Sequence, residues 1–130
     1  MSSGGFRGLQ VWQKSKDLAV LIYRITDTSF FARDFGLRDQ VRRSAVSIPS
    51  NIAEGDERET DKEAVRYFYY AKGSSAELLT QIIIAHEIGH IDTACFEEIE
   101  IRCREISGML ANLIKARSRK ADGAKNASYP

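Results

Sequence analysis

The residues best equipped for chemistry stand together at His86-Glu87-Ile88-Gly89-His90. Two imidazoles four residues apart share one face of a helix, and the glutamate between them is placed to deprotonate a metal-bound water. This is the H-E-x-x-H arrangement of zinc peptidases. A catalytic zinc, however, needs a third protein ligand beside an open coordination position. The extended motif would carry Gly at 93 and His at 96, where this chain has Thr93 and Phe96. Cys95, Glu97 or Glu98 would reach the pair only if the next helix folded back over it. Gly89 also reads as a helix terminator, and no strand is at hand to grip a peptide. A polar helix end leading into a turn accounts for the motif better than a peptidase built on His86, Glu87 and His90. Metal capture by His86 and His90 is retained as the alternative, and no cofactor is expected.

A second polar group is spread over two segments. Gln40, Arg43, Ser44, Ser47 and Asn51 lie beside one apolar stripe, and Gly73, Ser74, Ser75 and Glu77 lie on another. Pairing the segments antiparallel about the loop Asp56–Thr60 puts Arg43 level with Gly73 and Gln40 level with Ala76 and Glu77. Gly73 and the serines then allow close approach, and Glu77 accepts hydrogen bonds from Arg43 and Gln40. A half-buried Arg–Glu pair is weak evidence for stability but can fix register. With no nucleophile and base at hand, Gln40, Arg43, Asn51, Glu54, Gly73 and Glu77 are expected to form a structural polar core. No catalytic residue is assigned, and the chain is not expected to be an enzyme.

The elements that carry these residues are helices. From Asp61 to His90, Ala64, Phe68, Ala71, Ser75, Leu78, Ile82, Ala85 and Gly89 recur at spacings of four and three, the mark of a long helix burying a narrow seam. Thr60-x-x-Glu63 is its capping box. A first helix is predicted over Gln10–Thr26, with Val11, Leu18, Ile22 and Ile25 inward. A connection over Asp27–Asp34 follows, with Phe30, Phe31 and Phe35 pinned to the bundle end. The second helix, Leu37–Glu54, points Leu37, Val41, Ala45, Ile48 and Ile52 inward. Pro49 should bend it without ending it, and Gly55 is expected as its left-handed terminator. Asp92 or Thr93 caps a fourth helix, whose seam is Phe96, Ile99, Cys103, Ile106, Leu110 and Leu113. Short connections favour antiparallel neighbours, so the fold class is all-α, an antiparallel up-down-up-down four-helix bundle. Residues 1–8 are expected to be a flexible N-terminus, 9–117 the bundle domain and 118–130 a flexible basic tail.

The totals fit one domain of ordinary composition. In 130 residues, 19 basic and 18 acidic side chains leave a formal charge of +1, so there is no global pull toward nucleic acid or an anionic membrane. Cys95 and Cys103, about 12 Å apart along one helix, cannot form a disulfide and suit a reducing compartment. No stretch is apolar enough to span a membrane, and the expectation is a cytoplasmic protein. Local charge is uneven. Glu54–Glu63 is acidic and Lys115–Lys120 basic, at the same end of an up-down bundle, where they can pair. Arg38 and Arg42 lie with Arg33 at the other end. For nucleic acid the candidates are Arg38, Arg42, Lys115, Arg117, Arg119 and Lys120. Val65, Tyr69, Leu79 and Ile83, with Ile101 and Met109, lie off the seams and point either to self-association or to a wide core stripe.

Four pieces occur together and in order: Leu9-x-Val11-Trp12, Phe35-Gly36-Leu37-x-x-Gln40-x-x-Arg43, Ser47-Ile48-Pro49-Ser50-Asn51-Ile52-Ala53-Glu54-Gly55 and Ala71-Lys72-Gly73-Ser74-x-x-Glu77-Leu78. In this the chain resembles the small bacterial four-helix-bundle proteins encoded by intervening sequences in 23S rRNA genes, over about Leu9 to Ile114. The resemblance implies a homopentamer. It also implies kinship with the accessory proteins of diversity-generating retroelements, which work with a reverse transcriptase and its RNA. Phe31-Ala32-Arg33-Asp34 departs from the more usual Phe-Pro followed by acids. The expectation is therefore a non-enzymatic homo-oligomeric scaffold whose partners are itself and RNA or DNA, or a protein handling it, with no membrane. A zinc-dependent peptidase and a purely protein-protein adaptor are the alternatives.

Overall fold

The computed structural model describes residues 5–127, with side chains described for all of these except 29 and 124–127. A single 3-10 turn, Gly5–Gly8, leads into helix α1, Gln10–Ile25. Phe6 packs on Trp12 with ring centres 5.1 Å apart, which docks the turn on the helix. At the far end of α1, Thr26 is fully buried, and its hydroxyl donates to the Ile22 carbonyl at 2.7 Å.

The connection is not wholly irregular: Ser29–Arg33 forms a short helix, α2. Only one of the three expected aromatic pins holds. Phe31 is fully buried, whereas Phe30 and Phe35 are 67% and 63% exposed. A five-residue helix turns one face inward, and Phe30 is directed away from it.

Helix α3 runs Phe35–Asp56 without interruption through Pro49. Asp34 caps it, accepting from the Leu37 amide at 3.2 Å. Gly55 does not terminate α3 in a left-handed conformation as expected; it is buried inside the helix. The reason for a glycine here is contact. A Cβ at 55 would lie 2.7 Å from the Phe68 ring and 3.0 Å from the Ala64 carbonyl oxygen.

Helix α4, Asp61–Glu87, begins as predicted, with the Thr60 hydroxyl accepting from the Glu63 amide at 3.2 Å. It ends at Gly89, whose φ of +86° is the left-handed turn that glycine adopts freely. Helix α5, Thr93–Ala127, is capped by Asp92, which accepts from the Cys95 amide at 2.8 Å. It continues helically to 127 instead of giving way to an irregular tail after 117. Residues 1–4 and 128–130, the rest of the two expected flexible ends, lie outside the described residues.

Four long helices thus form the bundle, α3 packing on α1 and α4, and α5 on α4 and α1. The α4 seam is buried as its spacing requires, from Ala64 and Phe68 through Leu78 and Ile82 to Ala85. Opposite it lie Ile99, Cys103, Ile106 and Leu110 of α5, and Val41, Ala45, Ile48 and Ile52 of α3. Val65, Leu79 and Met109 pack against this core, which accounts for half of the apolar residues lying off the seams. Tyr69, Ile83 and Ile101 stay exposed. No helix of the described residues is long and apolar enough to cross a membrane.

Candidate functional site

The two histidines of the HEIGH motif do not share a helix face, because the helix stops between them. Gly89 reverses the chain, and the His90 amide closes the turn on the Ala85 carbonyl at 2.8 Å. His86 stacks on Phe96, centres 4.6 Å apart, and its Nε2 lies 3.2 Å from the Thr93 hydroxyl. His90 turns the other way, with Nε2 2.9 Å from Asp34 Oδ2 and its ring against Phe31. Glu87 is exposed. Each imidazole is therefore engaged by a different structural partner. Among the described residues no group of three His, Cys, Asp or Glu side chains converges as a metal site.

Asp34 sits at the centre of that end of the molecule. One oxygen caps α3 while the other meets His90, and the hydrogen bond from His90, followed by that from the Leu37 amide, holds its carboxyl below the usual 3.8. The thiols move the opposite way. Burial pushes Cys103 up to about 11, and burial with nearby Asp92 and Glu98 raises Cys95. Neither is poised as a nucleophile.

The polar residues of α3 and α4 do meet, but not in the expected pairs. Ser44 Oγ donates to Glu77 at 2.6 Å, and Ser47 and Ser74 share a hydroxyl bond at 2.7 Å. Both pairs centre the antiparallel crossing between Thr60 and Asp61 rather than in the middle of the 56–60 loop. The two residues of α3 beyond Glu54 delay the turn and account for part of this shift. Asn51 donates to the Ser47 carbonyl at 2.9 Å, within its own helix. Glu54 is exposed and pairs with Arg58 at 2.6 Å. Gly73 is exposed, and nothing lies within 4 Å of a Cβ built there, so it makes no close helix approach within the chain.

Arg43 and Gln40 are exposed and make no bond to Glu77. The expected internal Arg43–Glu77 pair is absent, because the shifted register gives Glu77 to Ser44 instead. Arg43, Gln40 and Glu77 instead line an open groove of about 640 Å³ with Thr80, Gln81 and Ile84. Gln81 escaped the sequence reading because it neighbours the seam without belonging to it. It is only 8% exposed, and its Oε1 has no hydrogen-bond partner among the described residues. Its signal in the sequence was its place four residues after Glu77, on the same helix face.

The six basic candidates divide into two groups. Arg42 donates to Thr26 Oγ1 at 2.8 Å and stacks over Tyr23. Arg38 donates to the Ala32 carbonyl and stacks over Phe35. Arg117 pairs with Asp61 at the start of α4, which joins the basic segment to the acidic one at the same end, as the topology predicted. Lys115, Arg119 and Lys120 are exposed on α5 and have no partner among the described residues.

Against known proteins, the chain matches the model of the 23S rRNA-intervening sequence proteins over residues 7–112. Among solved structures it is similar to a protein of unknown function from the S23 ribosomal protein family of Bacteroides thetaiotaomicron. The TM-score is 0.75 at 24% identity, with 81% of this chain and 98% of that one covered. At that identity the likeness bears on fold alone. No curated protein matches the chain.

Proposed function

Because this chain belongs to the 23S rRNA-intervening sequence protein family, we propose that it is a non-enzymatic, self-assembling helical scaffold, a ring of five as the resemblance implies, that engages RNA or DNA or a protein acting on it. The observation that carries the reading is the contrast between a filled interior and an apolar exterior. The seams are closed, yet Tyr69, Tyr70, Ile83, Ile84 and Ile101 stand 38–64% exposed on the two longest helices. Apolar side chains gathered on helix faces in this way are a common mark of a contact surface. The polar groups that chemistry would need are instead held in structural pairs, His90 with Asp34 and Glu77 with Ser44.

For nucleic acid the unengaged cations are the better contacts. Lys115, Arg119 and Lys120 have their charge free for phosphate, whereas Arg38, Arg42 and Arg117 already serve the fold. The test joins a solution mass measurement with an RNA and DNA titration over a range of salt. The expected result is a stable oligomer whose RNA affinity falls with salt. The Lys115→Glu, Arg119→Glu, Lys120→Glu variant should flatten that dependence by about two to three units of log–log slope. An unchanged affinity refutes the nucleic-acid contact, and a monomer at every concentration refutes the scaffold.

A further inference from the structure

The groove between α3 and α4 is unfinished as a piece of protein surface. Arg43 is exposed and has no partner among the described residues. Gln81 buries an acceptor without a donor, a loss typically of about 1–3 kcal/mol when nothing compensates it. Ile84, on the same face one turn further, is 44% exposed. Glu77 also lines the groove, with one oxygen taken by Ser44, so the complement of this face is a carboxylate for Arg43, N–H donors for Gln81 and Glu77, and an apolar side chain to lie against Ile84.

The chain carries that complement on another helix. Glu97, Ile101 and Arg104 stand at spacings of four and three on α5 and therefore share one face. Ile101 is 64% exposed, the most exposed aliphatic side chain of the described core-forming types. Glu97 is exposed with no partner among the described residues. The Arg104 side chain is 70% exposed and, among the described residues, bonded only to Glu100, which leaves donors to spare. The groove belongs to α3 and α4, whereas the Ile101 face belongs to α5, which packs chiefly on α4 and α1. Within one chain the two surfaces do not meet.

We propose that the α3/α4 groove receives the Ile101 face of α5 from a second copy of this chain. This rests on the self-assembly reading above and specifies its contact. Joining two different surfaces is a head-to-tail arrangement, which closes into a ring or runs on as a filament, and it does not stop at a two-fold dimer. A formal charge of +1 leaves little repulsion between copies.

The test uses two single variants of the full chain, Arg43→Glu, which spoils the groove, and Ile101→Asp, which spoils the inserted face. Both positions are exposed, so the helical content of each should match the wild type, and so should its thermal unfolding under conditions where the wild type is monomeric. Each alone should dissociate, its dissociation constant rising at least tenfold. Mixed in equal amounts, they retain one intact groove and one intact insert, and should form a one-to-one heterodimer that grows no further. If the wild type assembles and both variants assemble equally well, the contact lies elsewhere and this inference falls while self-assembly stands. Dissociated variants that form no heterodimer when mixed also overturn it. A wild type that is monomeric throughout removes the self-assembly reading itself. The milder Ile101→Ser serves where Ile101→Asp unfolds.

Discussion

Replacing glycine by alanine at two places in this bundle should have opposite effects. In a helix interior alanine is favoured over glycine by about 0.5–1 kcal/mol, because the unfolded glycine has more freedom to lose. At Gly73 nothing opposes that gain, since the new methyl meets no atom within 4 Å. At Gly55 the same methyl would lie 2.7 Å from the Phe68 ring and 3.0 Å from the Ala64 carbonyl oxygen. Phe68 is fully buried in the seam, and the carbonyl belongs to the backbone of α4, so neither can step aside cheaply. Overpacking of this kind costs about 1–3 kcal/mol. The net effect of Gly55→Ala is then a loss of up to about 2.5 kcal/mol, centred near about 1 kcal/mol, against a gain of about 0.5–1 kcal/mol for Gly73→Ala. For a chain of this size each kcal/mol moves Tm by roughly 3–5 °C. Thermal melts under conditions where the wild type is monomeric would show Gly55→Ala below the wild type and Gly73→Ala above it. A Gly55→Ala melt at or above the wild type would refute the close-approach account of that glycine.

Asp34 gives a pH test. Its folded carboxyl is depressed by His90 and the Leu37 amide, so its contribution is present above the unfolded value and lost as pH falls through the folded one. The stability gap between wild type and Asp34→Asn should be clear at pH 5 and close below 3.8; a gap unaltered at pH 2.5 would count against the pairing. Both thiols should resist iodoacetamide at pH 7, with Cys103, raised to about 11 and buried, labelling only on unfolding. Rapid native labelling of Cys103, read by mass spectrometry, would contradict its placement. Thr60→Ala removes the cap of α4 and should cost about 0.5–2 kcal/mol in chemical denaturation.

The seams were legible in the sequence because burial in a helix has a period. Ala64, Phe68, Ala71, Ser75, Leu78, Ile82 and Ala85 are all buried, as their alternation demands. So were the ends that depend on local chemistry, Thr60, Asp92 and Gly89. What failed depended on distances between helices. The crossing point moved toward the start of α4, only partly through the two further residues of α3, and with it Glu77 passed from Arg43 to Ser44. Gly55 looked like a terminator because the ring it accommodates belongs to another helix. The HEIGH spacing was correct for a helix face that ends at Glu87, three residues short of His90, and the pairing of His90 with Asp34 joins residues 56 apart in the chain. No local pattern announces that.

That pairing ties two remote turns to one side chain. The start of α3 and the reversal after α4 are both fastened by Asp34, so neither can fray without loosening the other. Native-state hydrogen exchange should therefore find the amides near 37 and near 90 opening together, as one cooperative unit, although the chain between them includes nearly all of two helices.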